Sequence, residues 1–333
     1  LALITATDLT VKTKGSSGVI KTGGGITDTN TENITGTFKI DSGGNFTSST
    51  DTLSTAGVLS IAAGGSIDLN GKVIASAGFS STGTAFDNTG GSITTTDSAL
   101  TINHSGAIKV GGALNSGTGN VDIDSTGSTV ALNNSIETTS GQVSIDASGK
   151  TTIAEAGDIT AGGAVTFGAD KSGTLTTAGE ITTTDDNVTF TNALTLQGDV
   201  GIDTGSGKGD ILFSESIDGE SALTLETGTG DATFTGAVKG LSGLTVDTGG
   251  TLTTVSSVAV AGDVSLTVND IDLGSVLDAG TNDVSIKGRS GRSMSVGMDT
   301  SNDIQIDNTE LANITAGSLT LVTENEDITV SGL

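Results

Sequence analysis

The sequence predicts an all-β fold, a parallel β-helix (β-solenoid) of about fifteen coils of roughly 22 residues. Three observations predict it. Apolar residues spaced two apart recur at a fixed period, Gly, Asn, Asp and Ser fill the gaps between them, and the 333 residues include no Pro. Alternation of this kind marks short strands with one buried face, and a fixed period in the twenties marks a solenoid.

The strands fall on three ladders. The clearest holds Leu100/Ile102, Val121/Ile123, Val143/Ile145, Val165/Phe167, Val188/Phe190, Ile211/Phe213 and Ala232/Phe234. About seven residues upstream runs a second: Ile93, Leu114, Ile136, Ile159, Ile181, Ile202 and Leu225. A third follows the first at Ile108/Val110, Val130/Leu132, Ile153 and Leu175. Three ladders locked to one period mean three short strands per coil. The pattern runs back to Phe38/Ile40, Leu59/Ile61 and Phe79, and forward to Val264/Leu266, Val284/Ile286, Ile304/Ile306 and Ile328/Val330. Between 235 and 263 the phase slips, so one irregular coil is expected there within a single continuous solenoid over 1–333.

The missing Pro fits the same picture. Every strand of a stack is paired above and below, and Pro would remove a needed N–H donor. Gly supplies the corners that need positive φ. Leucine-rich repeats share the period, but their L-x-x-L-x-L frame and a helical period are both absent. An array of antiparallel sandwiches would normally bring a core Trp or Tyr, and the chain has neither. Both ends read as ordinary coils without a capping helix.

Composition excludes several functions. With no Cys and one His, thiolate or multi-His metal centres and a cysteine nucleophile are impossible. Thirteen Lys and Arg oppose 39 Asp and Glu, a net charge of −26. That charge and the absence of Trp and Tyr disfavour nucleic-acid binding. A mean hydropathy of +0.09 with regular Val, Ile, Leu and Phe spacing argues against disorder. No window reaches the run of about 18 apolar residues that a membrane helix needs, so no membrane insertion is expected. The opening LALITATDLT has no basic n-region or A-x-A site and does not read as a signal peptide. The chain reads as processed or as a segment of something longer.

The stretch 209–253, GDILFSESIDGESALTLETGTGDATFTGAVKGLSGLTVDTGGTLTT, resembles the repeats of large bacterial surface proteins. These are the filamentous-haemagglutinin-like adhesins and the giant β-strand-repeat proteins. The resemblance implies a right-handed parallel β-helix, export, and an extracellular or cell-surface role. It carries no catalytic motif and assigns no site residue.

The candidate chemistry is correspondingly thin. His104, in TINHSG, reads as a solvated turn residue. The carboxylate pairs Asp122/Asp124, Asp185/Asp186, Asp270/Asp272 and Glu324/Glu326 lack the basic residues and aromatic platforms that polysaccharide cleavage would require. They read as solubilising surface charge. Calcium is the one cofactor such oxygens would suit, although neither a GGxGxD repeat nor an EF-hand loop occurs. Thr reads as a β-branched filler of outward strand positions. The run GRSGRS at 288–293 holds both arginines and is the candidate projecting contact loop. The glycine clusters GGG (23–25) and GSGKGD (205–210) lack Walker spacing. No catalytic, cofactor-binding or metal residue is assigned, and no enzyme is expected.

Charge is uneven along the chain. Residues 1–40 carry Lys12, Lys14, Lys21 and Lys39 against Asp8, Asp28 and Glu32, a net +1. Residues 299–333 carry seven acidic residues and no Lys or Arg. Open β-helix ends of unlike charge favour head-to-tail stacking. The functional expectation is therefore a structural protein of an extracellular bacterial fibre or surface layer, forming a homo-polymer end to end. The alternative is an adhesin stalk that binds a cell or glycan ligand through side loops.

Overall fold

A computed structural model describes residues 17–22, 26–27, 32–34, 36–169, 173–298 and 302–333; side chains are described from residue 36 onward. The fold is an all-β parallel solenoid of about 12 turns at a 21-residue spacing. The count falls below the fifteen that length divided by period gives, in part because residues 1–16 lie outside the described residues and the segments 294–297 and 304–313 do not lay down a plain coil; the three main sheets hold 13, 14 and 14 strands. Those two segments form a strand, Met294–Gly297, a second strand paired parallel to it, Ile304–Ile306, and a helix, Asn308–Asn313. The lysines before residue 17 and the GGG run lie outside the described residues.

The chain divides into two compact units. The first is 1–162 with 168–173, and the second is 163–167 with 174–333. In the first unit each of three parallel sheets holds seven strands, one per coil. Strand Leu100–His104 shows the rule: Leu100, Ile102 and His104 are buried while Thr101 and Asn103 face outward. Registered pairing stacks Phe38, Leu59, Phe79, Leu100, Val121 and Val143 in one inward column, and Ile40, Ile61, Ser81, Ile102, Ile123 and Ile145 in the next. Aromatic and aliphatic side chains thus alternate over the first four positions of that column, from Phe38 to Leu100.

The second unit holds six, seven and seven strands in the same three-sheet arrangement, plus a separate three-stranded sheet. Here one inward column is Phe167, Phe190, Phe213 and Phe234 in consecutive coils. Their rings stack nearly parallel, with centroids 5.0, 4.8 and 5.2 Å apart. The spacing is that of the strands themselves, about 4.8 Å, so backbone pairing alone sets the rings at stacking distance. The column ends at Thr254, opposite Phe234, whose buried hydroxyl lacks a hydrogen-bond partner. Within 235–263, strand Val238–Leu241 holds one residue more than its neighbour: Gly240, at φ 75°, is bulged out between Lys239 and Leu241.

Threonine does more than fill outward positions. At the end of many third-sheet strands an inward Thr or Ser closes the corner, while Ala75, Ala161 and Val268 hold that position in others. Thr95, Ser116 and Thr138 do so in the first unit, and Thr183, Thr204, Thr227 and Thr248 in the second, all buried. Thr138 donates to the Gly141 carbonyl at 2.6 Å, Thr204 to Gly209 at 2.7 Å and Thr227 to Gly230 at 2.8 Å. Each hydroxyl gives a buried turn carbonyl a partner, and the Gly230 carbonyl also accepts from Gly250 N–H at 3.0 Å and the Thr248 hydroxyl at 2.6 Å. The next residue or two takes the left-handed conformation: Asp97 and Gly117 in one unit, Asp185, Gly205 and Gly228 in the other. At Gly228 a Cβ would lie 2.4 Å from the Gly205 carbonyl oxygen, so the corner also needs glycine for space.

Candidate functional site

His104 is the first correction. It is not a solvated turn residue but a core residue, 1% exposed, in strand Leu100–His104. Its Nε2 lies 3.1 Å from the hydroxyl of Ser81, which is equally buried, and its ring tilts against Phe86 at 5.4 Å. Nδ1 has no partner. Burial lowers the imidazole pKa from 6.5 to about 4, so the ring is neutral at neutral pH. Ser81 and His104 are spaced as a Ser–His dyad, but no third group orients the ring and both partners are closed off from solvent. By contrast, buried Asn88 is fully engaged. Its amide donates to the Gly91 and Gly112 carbonyls, and its oxygen accepts from Gly111 N–H.

The carboxylates are also more structural than the sequence reading held. In the second unit, Asn187 Oδ1 accepts the N–H of Asp210 in the next coil at 2.8 Å. Asp210 accepts from Asp231 at 2.9 Å, and Asp231 from Thr251 at 2.7 Å. Asp199 and Asp263 make the same link to Ala222 and Asp283. In the first unit Asn45, Asp97 and Asn120 serve Ser66, Thr118 and Gln142. Each side chain bonds a corner N–H one coil on, which ties neighbouring coils outside the strand ladder.

The four singled-out acidic pairs are dispersed. Asp185 forms a left-handed corner and accepts from Gly207 N–H, Asp270 accepts from Gln305 N–H, and Glu324 pairs with Lys287. Among the described residues no group of three or more His, Cys, Asp or Glu is placed to hold a metal ion. A shallow open depression does occur on the third sheet of the second unit, where Gly201 leaves a gap between Glu180, Thr182, Asp203, Thr224 and Glu226.

The GRSGRS loop does not present free arginines. Arg289 pairs with Asp247 and Arg292 with Asp303 at 3.2 Å, while Gly291 makes the tight turn at φ 77°. Asp303 accepts from both the N–H and the hydroxyl of Ser293, and these bonds with Arg292 hold its carboxyl below the usual range.

The expected plain coil near the C-terminal end is a second correction. Helix Asn308–Asn313 is opened by a capping box, with Asp307 accepting from Thr309 and Glu310 N–H and Glu310 accepting from Asp307 N–H. The same Glu310 accepts from Leu273 N–H at 3.0 Å, and Asn313 donates to the Leu273 carbonyl at 3.0 Å. Two side chains thereby occupy part of the open edge of Asp270–Leu273, the last strand of the first sheet. Burial, with Asp307 and Asp272 nearby, raises the Glu310 pKa against the lowering effect of its two backbone bonds.

Among the described residues, no side chain covers the other strands at this end in the same way. Ile314–Thr315 and Ser318–Val322 are the last strands of the second and third sheets, and Ile328–Ser331 is the outer strand of the three-stranded sheet. Their inward residues continue buried columns. Ile314 registers with Leu277, Leu319 and Leu321 with Val284 and Ile286, and Ile328 and Val330 with Met294 and Val296. The residues they lie on are essentially inaccessible, whereas Ile314, Leu319 and Leu321 are half-buried, Ile328 is 39% exposed and Val330 57%.

No helix among the described residues is long and apolar enough to cross a membrane. No protein-family model matches the chain, and neither a curated protein nor a solved structure shows significant similarity to it.

Proposed function

We propose that this chain is a structural protein of an extracellular bacterial fibre or cell-surface layer, self-associating head to tail, as the filamentous-haemagglutinin-like resemblance implies. The observation that carries the reading is how completely the side chains are spent on joining one coil to the next. Inward columns and Asx links serve inter-coil stacking, corner hydroxyls such as Thr138 close the turns within a coil, and most of the polar remainder faces water. Stacked parallel strands resist extension because many backbone hydrogen bonds share the load, and paired backbone is a poor protease substrate. The acidic surface keeps such a stack hydrated and disfavours side-by-side aggregation.

The adhesin alternative loses its most visible loop, since both arginines of GRSGRS are engaged by Asp247 and Asp303. Immunogold labelling of intact source cells tests the principal reading. Label on external fibres or on a continuous surface coat is expected. Label confined to the cell interior would refute it.

A further inference from the structure

Asn70–Gly71 is the single Asn-Gly step in the chain, since every other Asn is followed by a residue with a side chain. Glycine leaves its N–H unshielded, which makes such a step prone to close on itself. The Gly71 nitrogen attacks Cγ of Asn70 and gives up its proton to water. The new N–Cγ bond completes a five-membered imide, the Cγ–Nδ2 bond breaks and ammonia leaves. Water then opens the imide at either carbonyl, giving aspartate or isoaspartate at position 70. Water is the only co-reactant.

The fold holds this step closed from both sides. It lies at the corner between strands Ser66–Asp68 and Val73–Ala75. Toward the preceding coil, Asn70 donates its backbone N–H to the Ser48 hydroxyl at 2.9 Å and its Nδ2 to the Ser48 carbonyl at 3.0 Å. Ser48 is itself buried, so both bonds are anchored in the stack. A Cβ on Gly71 would run into the Asp51 carbonyl oxygen and come within 2.8 Å of that of Ser49. The next coil presses as closely. A Cβ on Gly90 would lie 2.6 Å from the Asn70 carbonyl oxygen, and one on Gly91 would meet the Gly71 carbonyl. Ring closure requires the Asn70–Gly71 peptide to rotate until its nitrogen faces Cγ. Three backbones packed at glycine distance leave no room for that rotation.

We propose that Asn70–Gly71 is a gated modification site, inert in the stacked solenoid and converted by deamidation when the coils around it part. Parting of this kind is local and needs no global unfolding. The product then works against closure. It sets a carboxylate, which has no proton to donate, against the Ser48 carbonyl where the Nδ2 donor stood. The isoaspartate form also lengthens the main chain in a corner without slack. The gate lies within one chain, so it operates whether or not chains self-associate.

Peptide mapping by mass spectrometry, with isoaspartate quantified, tests the gate on the full chain aged at mildly alkaline pH. Conversion at position 70 should be at least about tenfold slower in the native chain than in the same chain held unfolded in denaturant. Equal rates would overturn the proposal. Ser48→Ala removes the hydroxyl that holds the Asn70 N–H and leaves the Asn-Gly step unchanged. Once circular dichroism has verified its fold, this variant should convert about fivefold faster than wild type when native, and at the wild-type rate when unfolded. A native rate equal to that of wild type would overturn the part assigned to Ser48. Asn70→Asp installs the product carboxylate on an ordinary main chain. The amides of Leu69 and Val73, which bond Asp87 and Ser92 in the next coil, should then exchange with solvent about fivefold faster than in wild type. Unchanged exchange would overturn the claim that the product hinders closure.

Discussion

The two units fill the same three-sheet frame in different ways. In the first, Phe38 and Phe79 alternate with Leu59 and Leu100, and the core admits a polar pair, Ser81 and His104, with one ring nitrogen unsatisfied. In the second, four phenylalanines stack in one unbroken column and its polar exception is Thr254 at the end. Strand spacing is the same in both, so it is the column and not the backbone that distinguishes them. A repeating frame tolerates a polar interior residue where a neighbour gives it a bond, as Ser81 does for His104, and gains ring stacking where identical residues recur.

The strongest way to break the comparison is to interrupt the stack. Phe190→Ala removes a fully buried ring with a phenylalanine on each side, and should cost about 3–5 kcal/mol in denaturant unfolding. A cost near 1 kcal/mol would mean that the column collapses onto the gap and the stack has little rigidity.

Acid should act on the other unit. The His104 pKa of about 4 lies below its ordinary 6.5, so the unfolded chain takes up the proton first as pH falls. Stability should therefore decline from about pH 6.5 and level off near pH 4, by up to about 3 kcal/mol. His104→Gln should remove that component, and identical pH profiles for variant and wild type would contradict the buried neutral imidazole.

Smaller effects sharpen the roles of the hydroxyls. Thr138→Val deletes the bond to the Gly141 carbonyl and should cost about 1–2 kcal/mol in thermal unfolding. Thr254→Val loses no bond and should be neutral or stabilising by up to about 1 kcal/mol. The smallest change is expected for Asp231→Ala, where an exposed inter-coil link to Thr251 is lost at a cost of about 0.5–1 kcal/mol.

The inward ladders were legible because period-2 alternation and a 21–23-residue recurrence reflect burial directly. Val121/Ile123 and Val188/Phe190 are strands in register with their neighbours, as their spacing implies. Corner chemistry was harder to read because it is written in polar residues. Thr95, Ser116, Thr138, Thr183, Thr204, Thr227 and Thr248 recur at intervals of about one coil or two, and alignment on the strand before each would have revealed them. Abundant outward Thr hid that column. Asn187, Asp210 and Asp231 sit just before first-sheet strands at the same period, but a polar turn residue carries no mark in sequence of the bond it makes one coil on.

His104 had no comparable signal. Only its place four residues after Leu100, on the alternating inward face, pointed inside. The C-terminal helix escaped because six residues are too few to show a helical period, although Asp307 and Glu310 stand at capping-box spacing.

The central proposal is that chains self-associate head to tail, as coils stack within one chain. Cryo-electron microscopy of the concentrated wild-type chain tests it most directly. The account predicts filaments in which strand layers about 4.8 Å apart run without interruption across each junction. Single particles at every concentration and salt, or filaments whose layers break at each junction, would contradict it.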